Sequence, residues 1–155
     1  MKIRDILAEG KPTLSFEVFP PKTQDAFASV EKAAEEIARL HPAFMSVTYG
    51  AGGGTSDYTV KIASDLQENC GVTPLAHLTC VSSTREKVQQ VLNELKDHKI
   101  ENILALRGDK PKDCTPIGKG DFKYAQDLIS YVKEKREFSI GGAYYPEGHL
   151  ETNDL

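Results

Sequence analysis

Glu17 is a carboxylate set in an otherwise apolar run, Ser15-Phe16-Glu17-Val18-Phe19, that Pro20 and Pro21 bring to a stop before Lys22. Strand side chains alternate in direction, so Ser15, Glu17 and Phe19 share one face while Phe16 and Val18 share the other. Proline cannot continue a central strand, which puts Glu17 near the C-terminal end of its strand, where α/β proteins commonly carry their chemistry. Burial at such a place penalises the anion and turns a carboxyl into a proton donor near neutral pH. From spacing alone, a solvated carboxylate or one paired with Lys22 is an equally good reading.

Other polar groups stand at comparable places. His77 shares a strand face with Leu75 and Thr79; a lone strand histidine is usually a hydrogen-bonded core residue, and no second His or Cys is spaced to complete a metal site, so no metal is expected. Arg107 and Asp109 follow the apolar run Ile103-Leu104-Ala105-Leu106 and read as a strand-end pair rather than an adhesion tripeptide. Gly50-Ala51-Gly52-Gly53-Gly54 lies between a strand pattern and a helix pattern. It lacks the Gly-Lys-Ser/Thr of a phosphate loop and the spacing of a dinucleotide fingerprint. A turn, or close backbone approach to a flat ring where no Cβ intervenes, fits it. His149 follows Tyr145-Pro146-Glu147-Gly148 in a loop, where solvent exposure is the plain expectation.

The elements that position these groups follow from periodicity. Apolar residues at helical spacing predict helices over about 1–10, 23–40 (Phe27, Val30, Ala34, Ile37, Leu40) and 55–69, one starting at Ser83-Thr84 and carrying Val88, Val91, Leu92 and Leu95, and one from Phe122 through Val132. Compact apolar runs predict strands over 13–19, 44–48, 73–79, 100–106 and 138–145. Thr55, Ser56 and Asp57, and later Ser83 and Thr84, are helix-cap candidates. The first helix is expected to cover the end of a larger assembly.

Composition bounds the rest. A chain of 155 residues, 39% hydrophobic and 27% charged, is long enough for a single domain with a real core. A formal charge of −4 argues against nucleic acid as a partner. No apolar run approaches a membrane span and the start lacks a signal-peptide core, so a cytoplasmic location is expected. Cys70, Cys80 and Cys114 are odd in number and widely spaced, as reduced structural thiols would be.

Strands alternating with amphipathic helices imply a parallel sheet with right-handed crossovers. Glu17, Thr48, His77, Arg107, Asp109 and Tyr145 all fall at or near C-terminal strand ends, a polar rim that favours a (β/α)8 TIM barrel over a doubly wound sheet. A whole barrel takes eight strands and roughly 250 residues. Five βα units therefore predict an incomplete barrel with open edges at strands one and five.

Five stretches in order resemble the methylenetetrahydrofolate reductase family: residues 15–22, Ser46-Val47-Thr48-Tyr49-Gly50-Ala51-Gly52-Gly53, Ala76-His77-Leu78-Thr79-Cys80, Leu104-Ala105-Leu106-Arg107-Gly108-Asp109 and Tyr145-Pro146-Glu147-Gly148-His149. The resemblance runs from about Thr13 to His149 and makes residues 1–155 the N-terminal portion of that family's barrel. It implies an FAD enzyme that passes hydride from NADH or NADPH to 5,10-methylenetetrahydrofolate, giving 5-methyltetrahydrofolate. Glu17 matches the family's general acid, protonating the folate nitrogen that leaves as the five-membered ring opens to a 5-iminium cation. Asp109 matches a carboxylate beside flavin and pterin that favours that cation. Thr48 matches the nicotinamide position, and Tyr49, Ala51, His77, Arg107, Gly108, Asp109, Ala125, Tyr145 and His149 match flavin positions. Gly54 departs from the family where relatives often carry a polar residue. The last three strands, with the later flavin and folate contacts, are not in this chain.

Two other readings stand beside this one. The first is a non-catalytic fragment or interaction module derived from the family, and the second an unrelated barrel enzyme such as an aldolase or pterin-transferring protein. The expected partner is a small folate, with no nucleic acid and no membrane. A homo-oligomer, or a partner that completes the barrel, is left open.

Overall fold

Five strands, β1 (Ser15–Val18), β2 (Phe44–Val47), β3 (Pro74–Thr79), β4 (Asn102–Leu106) and β5 (Ser139–Gly142), lie side by side in chain order, each parallel to the next. They come from a computed structural model of the chain, which describes residues 1–21, 23–49, 56–81, 83–109, 120–135 and 137–146. A doubly wound sheet reverses its strand order at a switch point, whereas barrel strands follow one another around the circle. The order here never reverses, so the chain folds as five consecutive strands of a (β/α)8-type barrel, with β1 and β5 at the edges of the sheet.

The two faces of the sheet differ sharply. Ladder register aligns Phe16 with Met45, Val18 with Val47, Val47 with Ala76, Ala76 with Ile103 and Leu78 with Ala105. This outer face joins one core with Phe27, Ala34 and Ala38 of α2 (Phe27–Ala38), Val60, Ile62, Ala63 and Leu66 of α3 (Ser56–Glu68), the Val88, Val91, Leu92 and Leu95 stripe of α4 (Arg85–Asp97), and Leu128 and Val132 of α5 (Ala125–Glu134). The opposite, inner face carries Ser15, Glu17, Ser46, Leu75, His77, Leu104 and Gly141, and none of them belongs to that core. Helices on one side and an inward row of mixed polarity on the other is how a barrel divides its strands.

Several element boundaries differ from the periodicity, β5 among them, which stops at Gly142, three residues short of Tyr145. A single 3-10 turn, Gln24–Ala26, precedes α2, and Leu40 falls beyond the helix and is exposed, because the chain leaves the helix before the left-handed His41 (φ 53°). Phe122 is buried but precedes α5, where it meets Tyr131 edge-on with ring centroids 5.6 Å apart. Thr84 caps α4 as its type predicts, accepting the Lys87 N–H at 3.2 Å. The cap candidate Thr55 and the glycine run Gly50–Gly54 lie outside the described residues, as do Lys22 and Cys114.

The N-terminal helix α1 (Ile3–Ala8) is tied to the bottom of the sheet by Asn102, at the start of β4. Its side-chain oxygen accepts the Ile3 N–H at 2.9 Å, and its amide nitrogen donates to the carbonyls of Met1 at 2.9 Å and Pro74 at 3.3 Å. The N-terminal ammonium also meets Glu101 at 3.0 Å. Asn102 is 2% exposed, so truncation strands groups that water cannot reach. Asn102→Ala is expected to lower unfolding free energy by roughly 1–3 kcal/mol, read from the denaturant midpoint; a change below about 0.5 kcal/mol would show that α1 docks by other means.

No helix among the described residues is long and apolar enough to cross a membrane.

Candidate active site

Glu17 leans from β1 across β2 toward β3. Its register partner on β2 is Ser46, a small residue 8% exposed, whose hydroxyl donates to Glu17 Oε2 at 2.9 Å. The same oxygen lies 3.3 Å from Nε2 of His77 on β3. A side chain no larger than serine at position 46 leaves room for Glu17 and His77 to meet above it. Glu17 is not the enclosed carboxyl that its apolar flanks suggest: its side chain is 44% exposed, because it projects from the inner face while the helices cover the outer one.

The Glu17–His77 contact is close enough for an ion pair, but Nε2 is not aligned for a hydrogen bond with any described group. An ion pair needs a protonated imidazole. Burial pushes the His77 imidazole below its usual 6.5, and the nearby Glu17 carboxylate opposes this only in part. We therefore read a neutral imidazole resting against the carboxylate. Between its folded and unfolded titrations, the unfolded chain holds more protons, so this contribution to stability is complete above about pH 6.5 and lost as pH falls below it. His77→Gln is expected to flatten the loss of thermal stability between about pH 7 and 5. An unchanged pH dependence in melting curves would contradict a neutral buried His77.

The strand ends beyond this cluster converge on the same rim, since parallel strands all finish on one side. Thr48 and Tyr49 follow β2, both half-buried; the Thr48 N–H donates to Val18 at 3.0 Å, and its carbonyl accepts the Thr59 hydroxyl of α3 at 2.9 Å. Arg107 follows β4, and its carbonyl accepts the N–H groups of Cys80 at 3.2 Å and Val81 at 2.7 Å, extending the β3–β4 pairing past both strands. Gly108 has φ +82°, and Asp109 beyond it is exposed. Ala125 opens α5 at the rim, half-buried, while Tyr145, after β5, is exposed. Ala51 and His149 lie outside the described residues.

Of the residues singled out from sequence, the fold brings Glu17 and His77 into contact; Thr48 and Tyr49 follow β2, Arg107, Gly108 and Asp109 follow β4, Tyr145 follows β5 and Ala125 opens α5. Two further residues belong to this region without having been candidates by type and spacing. Ser46 is the one polar position in Phe44-Met45-Ser46-Val47, a signal that was legible; Thr59, 2% exposed inside a helix, offered none. Cys80 is fully buried and its thiol is pushed up to about 11 by burial, which makes it an inert packing group. Burial also raises the half-buried Cys70.

Comparison with known proteins gives one consistent result. The family profile described as methylenetetrahydrofolate reductase matches residues 2–155. The chain is 38% identical over 155 residues to "Methylenetetrahydrofolate reductase (NADH) 1" of Arabidopsis thaliana, covering 97% of this chain and 26% of that protein. It is 39% identical over 144 residues to the "5,10-methylenetetrahydrofolate reductase" of Pectobacterium carotovorum, and 36% identical to that of Escherichia coli. Both bacterial matches cover 93% of this chain and 47% of the relative, so the chain spans less than half the length of these proteins.

Proposed function

Because the chain belongs to the methylenetetrahydrofolate reductase family, we propose that in its full-length protein it supplies the proton-donating side of a flavin-dependent reduction of 5,10-methylenetetrahydrofolate to 5-methyltetrahydrofolate. NADH or NADPH is the hydride source. The observation that carries this reading is the cluster of Glu17, Ser46 and His77 on the inner face of a barrel-type sheet, beside the rim where its strands end.

Glu17 is the general acid. Its carboxyl is open on the inner face, within reach of a substrate, and held at one oxygen by Ser46. Donating its proton to the leaving folate nitrogen lets the five-membered ring open to the 5-iminium cation, and leaves Glu17 as a carboxylate. Asp109 sets a second negative charge on the rim, where it favours that cation.

The residues present fit a flavin. A flat ring needs an apolar floor with donors at its edge, and the inner face offers the half-buried Leu104 and Leu106 beside a bare Gly141, with His77 Nε2 buried and lacking a hydrogen bond to any described group. When bound, FAD supplies the hydride. Tyr49, Ala51, His77, Arg107, Gly108, Asp109, Ala125, Tyr145 and His149 are the residues proposed to hold it, and Thr48 the one proposed beside the nicotinamide.

The direct test is the full-length protein, purified and examined by absorbance. Bound flavin that is bleached anaerobically by NADH or NADPH, and recovers its colour on adding 5,10-methylenetetrahydrofolate, is the expected outcome. A colourless protein, or a reduced flavin that the folate does not reoxidise, would overturn the reading.

A further inference from the structure

The two oxygens of Glu17 are not equivalent. Oε2 accepts the Ser46 hydroxyl at 2.9 Å and faces His77 Nε2 at 3.3 Å, whereas Oε1 has no hydrogen-bond partner among the described residues. We infer that Ser46 is a positioning residue that holds Oε2 as the accepting oxygen of Glu17 and so assigns the transferable proton to Oε1. This deepens the function proposed above and rests on Glu17 being the acid.

The chemistry follows from what each group can donate. A protonated carboxyl has one carbonyl-like oxygen, which only accepts, and one hydroxyl oxygen, which gives its hydrogen away. A serine hydroxyl aimed at Oε2 is satisfied when Oε2 is the acceptor. His77 Nε2, 3.3 Å from the same oxygen but not aligned to bond it, crowds that side of the carboxyl. The proton is thereby left on Oε1, on the open side of the carboxyl.

Transfer breaks the Oε1–H bond, and its electron pair stays on Glu17, which becomes a carboxylate. The proton forms a new N–H bond on the folate nitrogen that leaves. The Ser46 contact to Oε2 need not rearrange, but it now donates to an anion, and hydrogen bonds to ionised acceptors are roughly twice as strong as neutral ones. Ser46 therefore favours the state after transfer over the state before it, which is the differential stabilisation that accelerates a step. The backbone supports this role. Glu17 and Ser46 are direct register partners on adjacent parallel strands, so their separation is set by the ladder rather than by a mobile loop.

The test compares full-length holoenzyme with Ser46→Ala, a substitution that removes the hydroxyl and adds no bulk. Reoxidation of the reduced flavin by 5,10-methylenetetrahydrofolate is expected to slow by about 10–100-fold, while flavin reduction by NADH or NADPH stays within about twofold. The pH at which the folate half-reaction falls off should move upward, because the carboxylate has lost a donor. A structural role would leave that pH profile in place. In protein with 13C-labelled glutamate, the side-chain carboxyl resonance assigned through Glu17→Gln should also shift in Ser46→Ala.

Equal slowing of both half-reactions, or an unchanged pH profile and carboxyl resonance, would overturn the inference. Its failure is separable from that of the proposed function. If Glu17→Gln abolishes folate reduction and Ser46→Ala does not affect it, only the role of Ser46 is wrong. If Glu17→Gln leaves folate reduction intact, the assignment of Glu17 itself falls.

Discussion

Glu17→Gln in the full-length holoenzyme is expected to slow folate reduction by about 10²–10⁴-fold, the usual contribution of a positioned general acid. Flavin reduction by NADH or NADPH should remain within about twofold, because that half-reaction requires no proton on folate. Glutamine is close to isosteric and can still accept the Ser46 hydroxyl at the atom replacing Oε2, so the inner face should keep its packing. What it lacks is an acidic proton. Rapid-mixing measurements of each half-reaction decide the matter. Equal loss in both halves would show that Glu17 supports flavin binding rather than protonation.

Gly108→Ala should produce the largest loss of stability. Gly108 has φ +82°, and a Cβ built there lies 2.9 Å from Val81 Cγ1 and 3.0 Å from Thr79 Cβ. The left-handed conformation costs an L-residue about 1–2 kcal/mol. Overpacking against two stiff β-branched side chains adds about 1–3 kcal/mol, since Thr79 belongs to β3 and Val81 is tied to the Arg107 carbonyl at 2.7 Å. Relief requires the turn after β4 to move, and Arg107 and Asp109 move with it. The expected readouts are a lower denaturant midpoint and weaker flavin retention in the same variant. A midpoint within about 0.5 kcal/mol of the parent protein would show that the turn relaxes freely, and then neither flanking residue owes its place to Gly108.

Local pattern carried the elements well, and for a clear reason. The alternation in Ser15-Phe16-Glu17-Val18 becomes an exposed, half-buried, exposed and buried series, and Val88, Val91, Leu92 and Leu95 all enter the core, because side-chain direction within a strand or helix is a property of the backbone period. Ends were less legible. Leu40 continues the helical spacing of α2 but falls in the turn after it, and Phe122 reaches the core from the segment before α5; neither depends on period. The cap at Thr84 was readable because its hydrogen bond closes within three residues.

By itself, the sequence determined the strand–helix alternation, the position of a carboxylate at a strand end and the order of motifs that marks the family. All of these are set by residues near one another along the chain. The unreversed strand order was already expected from the polar rim, but only the tertiary structure decided that Glu17 faces the open inner side and that its partners are Ser46 and His77. Those facts depend on which strands pair and in what register, and a ladder joining residue 17 to residue 46 is specified by the packing of the whole outer face rather than by either segment. The same register leaves one oxygen of Glu17 held and the other open to the inner face.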